Sequence, residues 1–165
     1  MADTPFRDSS GLHRAMRLLG STAPVAWLFA RMLHHVDRAV YRLTGGRRTF
    51  AGLASGIPVA MLTTTGAKSG LPRTTPVLTL ADGDGLIVIA SNFGQDHHPA
   101  WAHNLRAHPE ARVEADGVAR DVRARELAGD ERERAFELGG AVYPGYAAYR
   151  RRADRTIPVF RLEPR

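Results

Sequence analysis

The stretch Met61-Leu-Thr-Thr-Thr-Gly-Ala-Lys-Ser-Gly-Leu-Pro-Arg73 decides the fold. To its left, Val59, Met61 and Thr63 alternate with Ala60, Leu62 and Thr64, which is the period of a strand. To its right, Pro76-Val-Leu-Thr-Leu80 is apolar and β-branched and reads as a second strand. Gly66 and Gly70 bound the turn between them, permitting positive φ and close backbone approach to a ligand. Free N–H groups, the Ser69 hydroxyl and the cations Lys68 and Arg73 together suit an anion, most plausibly a phosphate. Of 23 Lys and Arg residues, Lys68 is the only lysine. A compact ammonium and a rigid guanidinium are not equivalent at a tight site. Either the chain keeps the ammonium here for a ligand, or Lys68 is a chance solvated turn residue. The turn is not a P-loop, because Ala67 separates Gly66 from Lys68, Met61 stands at the upstream glycine position, and the chain runs on into a strand.

The totals set bounds. A chain of 165 residues is one domain by default, with room for a sizeable core. With no cysteine, disulfides, thiolate metal sites and a cysteine nucleophile are excluded, and a cytoplasmic location is expected. The formal charge of +6 points to an anionic ligand, a nucleic acid or a membrane surface. Scattered arginines and the lack of a known module argue against nucleic acid. No apolar run spans a bilayer, and Asp3, Arg7, Asp8 and His13 interrupt any signal-peptide core.

In chain order, residues 1–20 read as partly ordered. Residues 21–45 read as an amphipathic helix opening at Ser21-Thr22 and ending at Gly45-Gly46. Its polar face is mostly basic. It packs on its own core or, alternatively, rests peripherally on a membrane through residues 22–44. The remainder, 46–165, reads as the ligand-binding unit. Strands are expected over Val59–Thr65, Thr74–Ala81, Leu86–Ser91, Ala111–Ala115, Val118–Arg125 and Ile157–Leu162. The strand at 86–91 is nearly all apolar and is placed centrally with both faces covered. Asp82-Gly-Asp-Gly85 and Asp116-Gly117 are hairpin turns. A short helix is expected over Pro99–Ala107, and a charged one from Gly129 to about Leu138 with Gly129-Asp130 at its cap. Antiparallel hairpins in series with flanking helices give an α+β class and a small β-barrel.

Several groups carry chemistry. Ser91, Asn92 and the Gly94 loop close a buried strand, a favoured place for a ligand. On the short helix, Trp101 and Leu105 share one face, and Ala100 and Asn104 another. The indole alone reads as core; a helix-borne amide beside it can anchor a ring carbonyl or nitrogen. His97, His98, His103 and His108 lack metal-ligand spacing, so no metal is expected. Tyr143, Tyr146 and Tyr149 recur every three residues, either as an aromatic wall with hydroxyl donors or as a stripe packed on the barrel. Arg150-Arg-Arg152 reads as a solvated basic face. Arg155 either pairs with an acid or reaches the ligand.

Leu62-Thr-Thr-Thr-Gly-Ala-Lys-Ser-Gly-Leu-Pro-Arg73, Ala90-Ser91, His98-Pro-Ala-Trp-Ala-His-Asn-Leu105, the Tyr143–Tyr149 ladder and Asp154-Arg-Thr-Ile-Pro158 follow in order. Together they resemble the deazaflavin-dependent nitroreductase/quinone reductase family of actinobacteria. The resemblance implies a split β-barrel related to FMN-binding barrels. It also implies coenzyme F420, whose tail carries a phosphodiester and glutamates, with FMN as the alternative cofactor. Lys68 and Arg73 would hold that tail together with Thr65, Gly66, Ser69 and Gly70. Pro76, Ala90, Ser91, Asn92, Ala100, Trp101 and Asn104 would line the ring. Ser91, Tyr143, Tyr146 and Tyr149 would serve a quinone, enone or nitro acceptor, with hydride transfer as the reaction. Two positions depart from the family's pattern: Ala67 stands where a second basic residue is common, and Leu78 where some members have an aromatic. A non-catalytic cofactor carrier is the alternative of a different class. The assembly, monomer or homodimer, is left open.

Overall fold

The computed structural model describes residues 58–115 and 117–165, with Val36, Ala39, Val40, Leu43 and Gly56. The expected boundaries at residues 20 and 45, and with them the helix over 21–45 and its membrane contact, lie outside the described residues, save four helical positions. Among the described residues, no helix is long and apolar enough to cross a membrane.

Among the described residues, seven strands form one antiparallel sheet. They are β1 (Val59–Thr65), β2 (Pro72–Leu78), β3 (Leu80–Asp82), β4 (Gly85–Ile89), β5 (Glu110–Ala115), β6 (Val118–Glu126) and β7 (Val159–Pro164). Their order is β2-β1-β5-β6-β7-β4-β3. β2 and β3 stand at opposite ends of that order, yet only Thr79 separates them in the chain. The two ends of the sheet therefore meet, and the sheet curls on itself as a barrel. The break at Thr79 corrects the single strand expected over Thr74–Ala81. Thr79 leaves the ladder to donate its N–H to the Pro58 carbonyl at 3.0 Å, and its side chain is buried.

Side chains alternate between two cores, as the strand period requires. Val88 and Ala90 of the β4 segment, with Leu62, Val77, Val113, Phe160 and Leu162, fill the barrel interior. Helix α1 (Ala100–Ala107) adds Trp101, Ala102 and Leu105 to that core. On the other face, Ile87, Ile89 and Val159 pack under α2 (Gly129–Val142) and α3 (Gly145–Arg152). Both faces of β4 are thus covered, as its apolar run predicts. It is not central, however, since only β3 lies beyond it. The strand also ends at Ile89 rather than Ser91. The N-cap of α2 is Ala128, with no side-chain cap, so the expected capping by Gly129-Asp130 does not form. Asp130 and Glu131 still occupy the first turn, where the helix dipole favours them.

Two adjacent glycines of α2 make opposite demands. A Cβ at Gly139 would lie 2.6 Å from Ile89 Cδ1 and 3.1 Å from Tyr146 Cδ2, whereas one at Gly140 would meet nothing within 4 Å. Gly139→Ala is expected to destabilise by about 1–3 kcal/mol through overpacking. Gly140→Ala should stabilise by about 0.5–1 kcal/mol through reduced backbone entropy of the unfolded chain. Urea unfolding midpoints of the two variants check the contrast.

Candidate functional site

The turn between β1 and β2 is shaped from within. Gly66 donates its N–H to the Leu71 carbonyl at 2.9 Å, and Gly70 donates back to the Gly66 carbonyl at 2.8 Å. A Cβ at Gly66 would lie 2.6 Å from Ser69 Oγ and 3.1 Å from the Leu71 carbonyl oxygen, so a larger residue there would displace Ser69 and press on the turn backbone. Gly70 sits at φ +67°, the left-handed region. Ser69 Oγ accepts from the Leu71 N–H at 3.3 Å. Lys68 and Ser69 keep amide N–H groups with no acceptor among the described residues. Lys68 and Arg73 are exposed and make no ion pair among the described residues. The two cations and these two amides of the turn are therefore uncommitted among the described residues.

One residue ties this turn to the rest. Asn104 of α1 is buried, donates from Nδ2 to Thr64 Oγ1 at 2.9 Å, and accepts at Oδ1 from the Ala67 N–H at 2.9 Å. The Thr64 hydroxyl in turn donates to the Arg73 carbonyl at 3.4 Å. Asn104, expected to face a ring, thus engages the chain at both ends of its amide. Trp101, on the same helix, is buried edge-on to Phe160 with ring centroids 5.9 Å apart. Ala100 is exposed at the start of the helix. Eight residues at 1.5 Å each make α1 a strut of about 12 Å. It runs from the loop after β4 to the turn after β1.

That loop is strained. Asn92 and Phe93 hold φ values of 47° and 56°, and Gly94 follows at 76°. Non-glycine residues in this region cost about 1–3 kcal/mol each and cluster at functional sites. A Cβ at Gly94 would lie 3.1 Å from Tyr149 Cα, so the loop sits directly on α3. Phe93 meets Tyr149 edge-on at 6.0 Å, and Arg152 donates to the Phe93 carbonyl at 3.3 Å. Asn92 Nδ2 donates within the loop, to Gln95 Oε1 and the His97 carbonyl. Ser91 is 7% exposed, and its hydroxyl has no partner among the described residues. A buried, unpartnered hydroxyl calls for a partner, whether a water, an ion or a ligand.

The tyrosines are buried together. Tyr143 and Tyr149 share a hydroxyl–hydroxyl hydrogen bond of 2.9 Å, and Tyr143 also meets Tyr146 edge-on at 5.5 Å. Burial raises the pKa of all three above the ordinary phenol value, so each stays protonated. Leu78 packs against the same cluster, and Pro76 shares its strand face. Thr65, paired with Pro72, marks the mouth of the turn, and Ala90 is buried inside the barrel. Of the basic run, Arg150 pairs with Glu133 at 2.7 Å, while Arg151 is exposed. No group of three His, Asp or Glu side chains in metal-binding geometry occurs among the described residues.

Sequence did not single out Thr64, and for Arg155 it offered an acid or the ligand as partner rather than the backbone. Thr64 anchors the turn, and only its inward place in the strand alternation hints at that. Arg155 binds backbone carbonyls, a use that leaves no spacing signal.

The class of protein is a split barrel, here with an uncommitted cationic turn, a strut helix and a strained loop beside buried tyrosines. The family model for F420H(2)-dependent quinone reductase matches residues 33–164. The F420H(2)-dependent quinone reductase Rv1261c of Mycobacterium tuberculosis is 34% identical over 130 residues, covering 77% of this chain and 87% of that one. The solved F420-H2 dependent reductase FDR-A is 40% identical at a TM-score of 0.60, covering 64% of this chain and 94% of that one. A second solved chain, described as a domain-swapped dimer, is 34% identical at a TM-score of 0.62, covering 86% of this chain and all of that one. The chain belongs to the F420H2-dependent quinone reductase family, an oxidoreductase family whose cofactor is coenzyme F420.

Removing the Asn104 amide leaves the Ala67 N–H and Thr64 hydroxyl without it. Asn104→Ala is expected to lower stability by about 1–3 kcal/mol, the cost of unpaired buried polar groups. A urea melt measures the loss, and an unchanged midpoint would remove the tie from the fold's supports.

Proposed function

We propose that this chain reduces a quinone-type acceptor with reduced coenzyme F420, binding the cofactor's anionic tail at the turn 66–73. The observation that carries this reading is the pair of uncommitted cations, Lys68 and Arg73, beside two free amides on a glycine-shaped turn. When bound, the reduced deazaflavin supplies the hydride. The protein supplies position, charge and exclusion of water. Lys68 and Arg73 hold the phosphodiester and glutamate end, and the Lys68 and Ser69 N–H groups add directional donors. The strut α1 fixes the distance between that end and the Ser91 loop. The Ser91 hydroxyl donates to the acceptor oxygen on which negative charge develops. Tyr143 and Tyr149, kept neutral by burial, act through hydrogen bonds rather than as tyrosinates. Pro76, Ala90, Asn92 and Ala100 border the ring site, and Trp101 backs it from the core. The segment 46–165 serves as the cofactor-binding unit, and the absence of cysteine fits a cytoplasmic enzyme.

An FMN-using barrel or a non-catalytic carrier would differ in two measurements. Fluorescence titration should show F420 binding with little FMN binding, and an FMN preference overturns the cofactor assignment. Steady turnover with a simple quinone separates the enzyme from a carrier. Lys68→Ala should weaken F420 binding about tenfold or more, because a charge-assisted contact is lost. The single-turnover hydride step at saturation should stay within about twofold. Equal affinity in the variant would take the tail away from Lys68.

A further inference from the structure

Arg155 lies between α3 and β7, and its guanidinium is committed to the loop between β4 and α1. Nε donates to the Gln95 carbonyl at 2.8 Å. Nη2 donates to the Ala90 carbonyl at 3.3 Å and the Ser91 carbonyl at 3.0 Å. Nη1 stands 2.7 Å from His98 Nδ1. Arginine has donors only, so Nδ1 presents a lone pair, the ring proton sits on Nε2, and His98 is neutral. Protonating Nδ1 removes that acceptor and sets two cations against each other. The loop so held is the one with left-handed Asn92 and Phe93, a conformation that persists only where its surroundings over-determine it.

The groups facing His98 favour the neutral ring. Arg155 reaches it from the segment before β7, and Arg106 and His103 from α1, with the His103 ring 5.6 Å away. Glu126, at the end of β6, is the one acid among them, and Arg106 already holds it at 2.6 Å. Asp96 lies on the Arg155 side. Partial burial first, then these cations, lower His98 below the ordinary histidine value.

We propose that Arg155 is a positioning residue that clamps the Ser91 loop in its working shape, and that the clamp opens when His98 takes up a proton. The consequence for turnover rests on the placement of Ser91 against the acceptor argued above. The sign follows from linkage: His98 is lowered in the fold, so the clamp is intact above the ordinary histidine value and is lost as pH falls through the lower folded value.

Amide hydrogen exchange on the cofactor-free chain tests the clamp directly. Gly94 and Gln95 donate to the Ser91 and Asn92 carbonyls and report the loop's closure. Their protection factors should fall about tenfold or more between about pH 7.5 and about pH 5. His98→Asn retains a side-chain acceptor without titrating, and its protection should stay level over that range. Arg155→Lys keeps the charge but not the fork, and should lose protection already at neutral pH with no further step in acid. kcat/KM for a quinone should show the same acid limb in the wild type and none in His98→Asn. Wild-type protection that does not change with pH overturns the clamp, whatever activity does. Protection that falls while kcat/KM stays level leaves the clamp standing and overturns the placement of Ser91 beside the acceptor.

Discussion

A single buried amide makes one site out of two pieces of chain. The β1–β2 turn and the β4–α1 loop are unrelated in sequence, and neither has a shape of its own that would fix it against the other. Asn104 supplies the constraint, bonding Thr64 in the strand and Ala67 in the turn from a helix that starts beside the loop. In a low-dielectric interior, such bonds are strong when made and costly when broken. The turn is therefore held at a fixed span from the loop, which a cofactor with a ring at one end and an anionic tail at the other requires.

Charge is distributed with the same economy. On the outside of the sheet, Arg123 meets Glu110, Arg125 meets Glu131 and Glu163, and Arg161 meets Asp82, Asp84 and Glu163. Each exposed pair contributes little to stability. Their joint effect is electrostatic: these arginines are neutralised where they stand and do not compete for an anion. Arg132 and Arg150 are likewise engaged, by Glu133 and by the Phe136 ring. Lys68 and Arg73 make no ion pair among the described residues, on a turn where the Lys68 and Ser69 amides also lack an acceptor. Net charge alone does not locate a site.

Local pattern made much of this legible. The alternation of Val59–Thr65, the glycines of the turn and the apolar run before Ser91 each dictate their own structure through periodicity or φ. The resemblance carried by Leu62–Arg73 and His98–Leu105 then supplied fold and cofactor. What stayed hidden depends on the partner rather than the residue. Nothing local shows that Thr79 leaves the ladder, because the break exists only where the curled sheet brings its two ends together. Asn104 looks like a ligand-binding amide until the turn arrives to occupy it. Arg155 looks like an ion-pair partner, yet it binds carbonyls, and carbonyls are invisible to sequence.

The tyrosines raise the question of where the acceptor's proton comes from. Hydride transfer leaves negative charge on an oxygen, and a neutral hydroxyl can stabilise it by hydrogen bonding or surrender its proton to it. Burial works against the second course, since all three phenols are held in the protonated form more firmly than in water. Arg152, whose guanidinium lies 5.8 Å from the Tyr149 ring centre, offsets this only in part. Tyr143 and Tyr149 also spend one hydroxyl hydrogen on each other. The cluster is built to orient and to polarise. On the proposed reading, solvent rather than a buried phenol is then the source of the acceptor's proton.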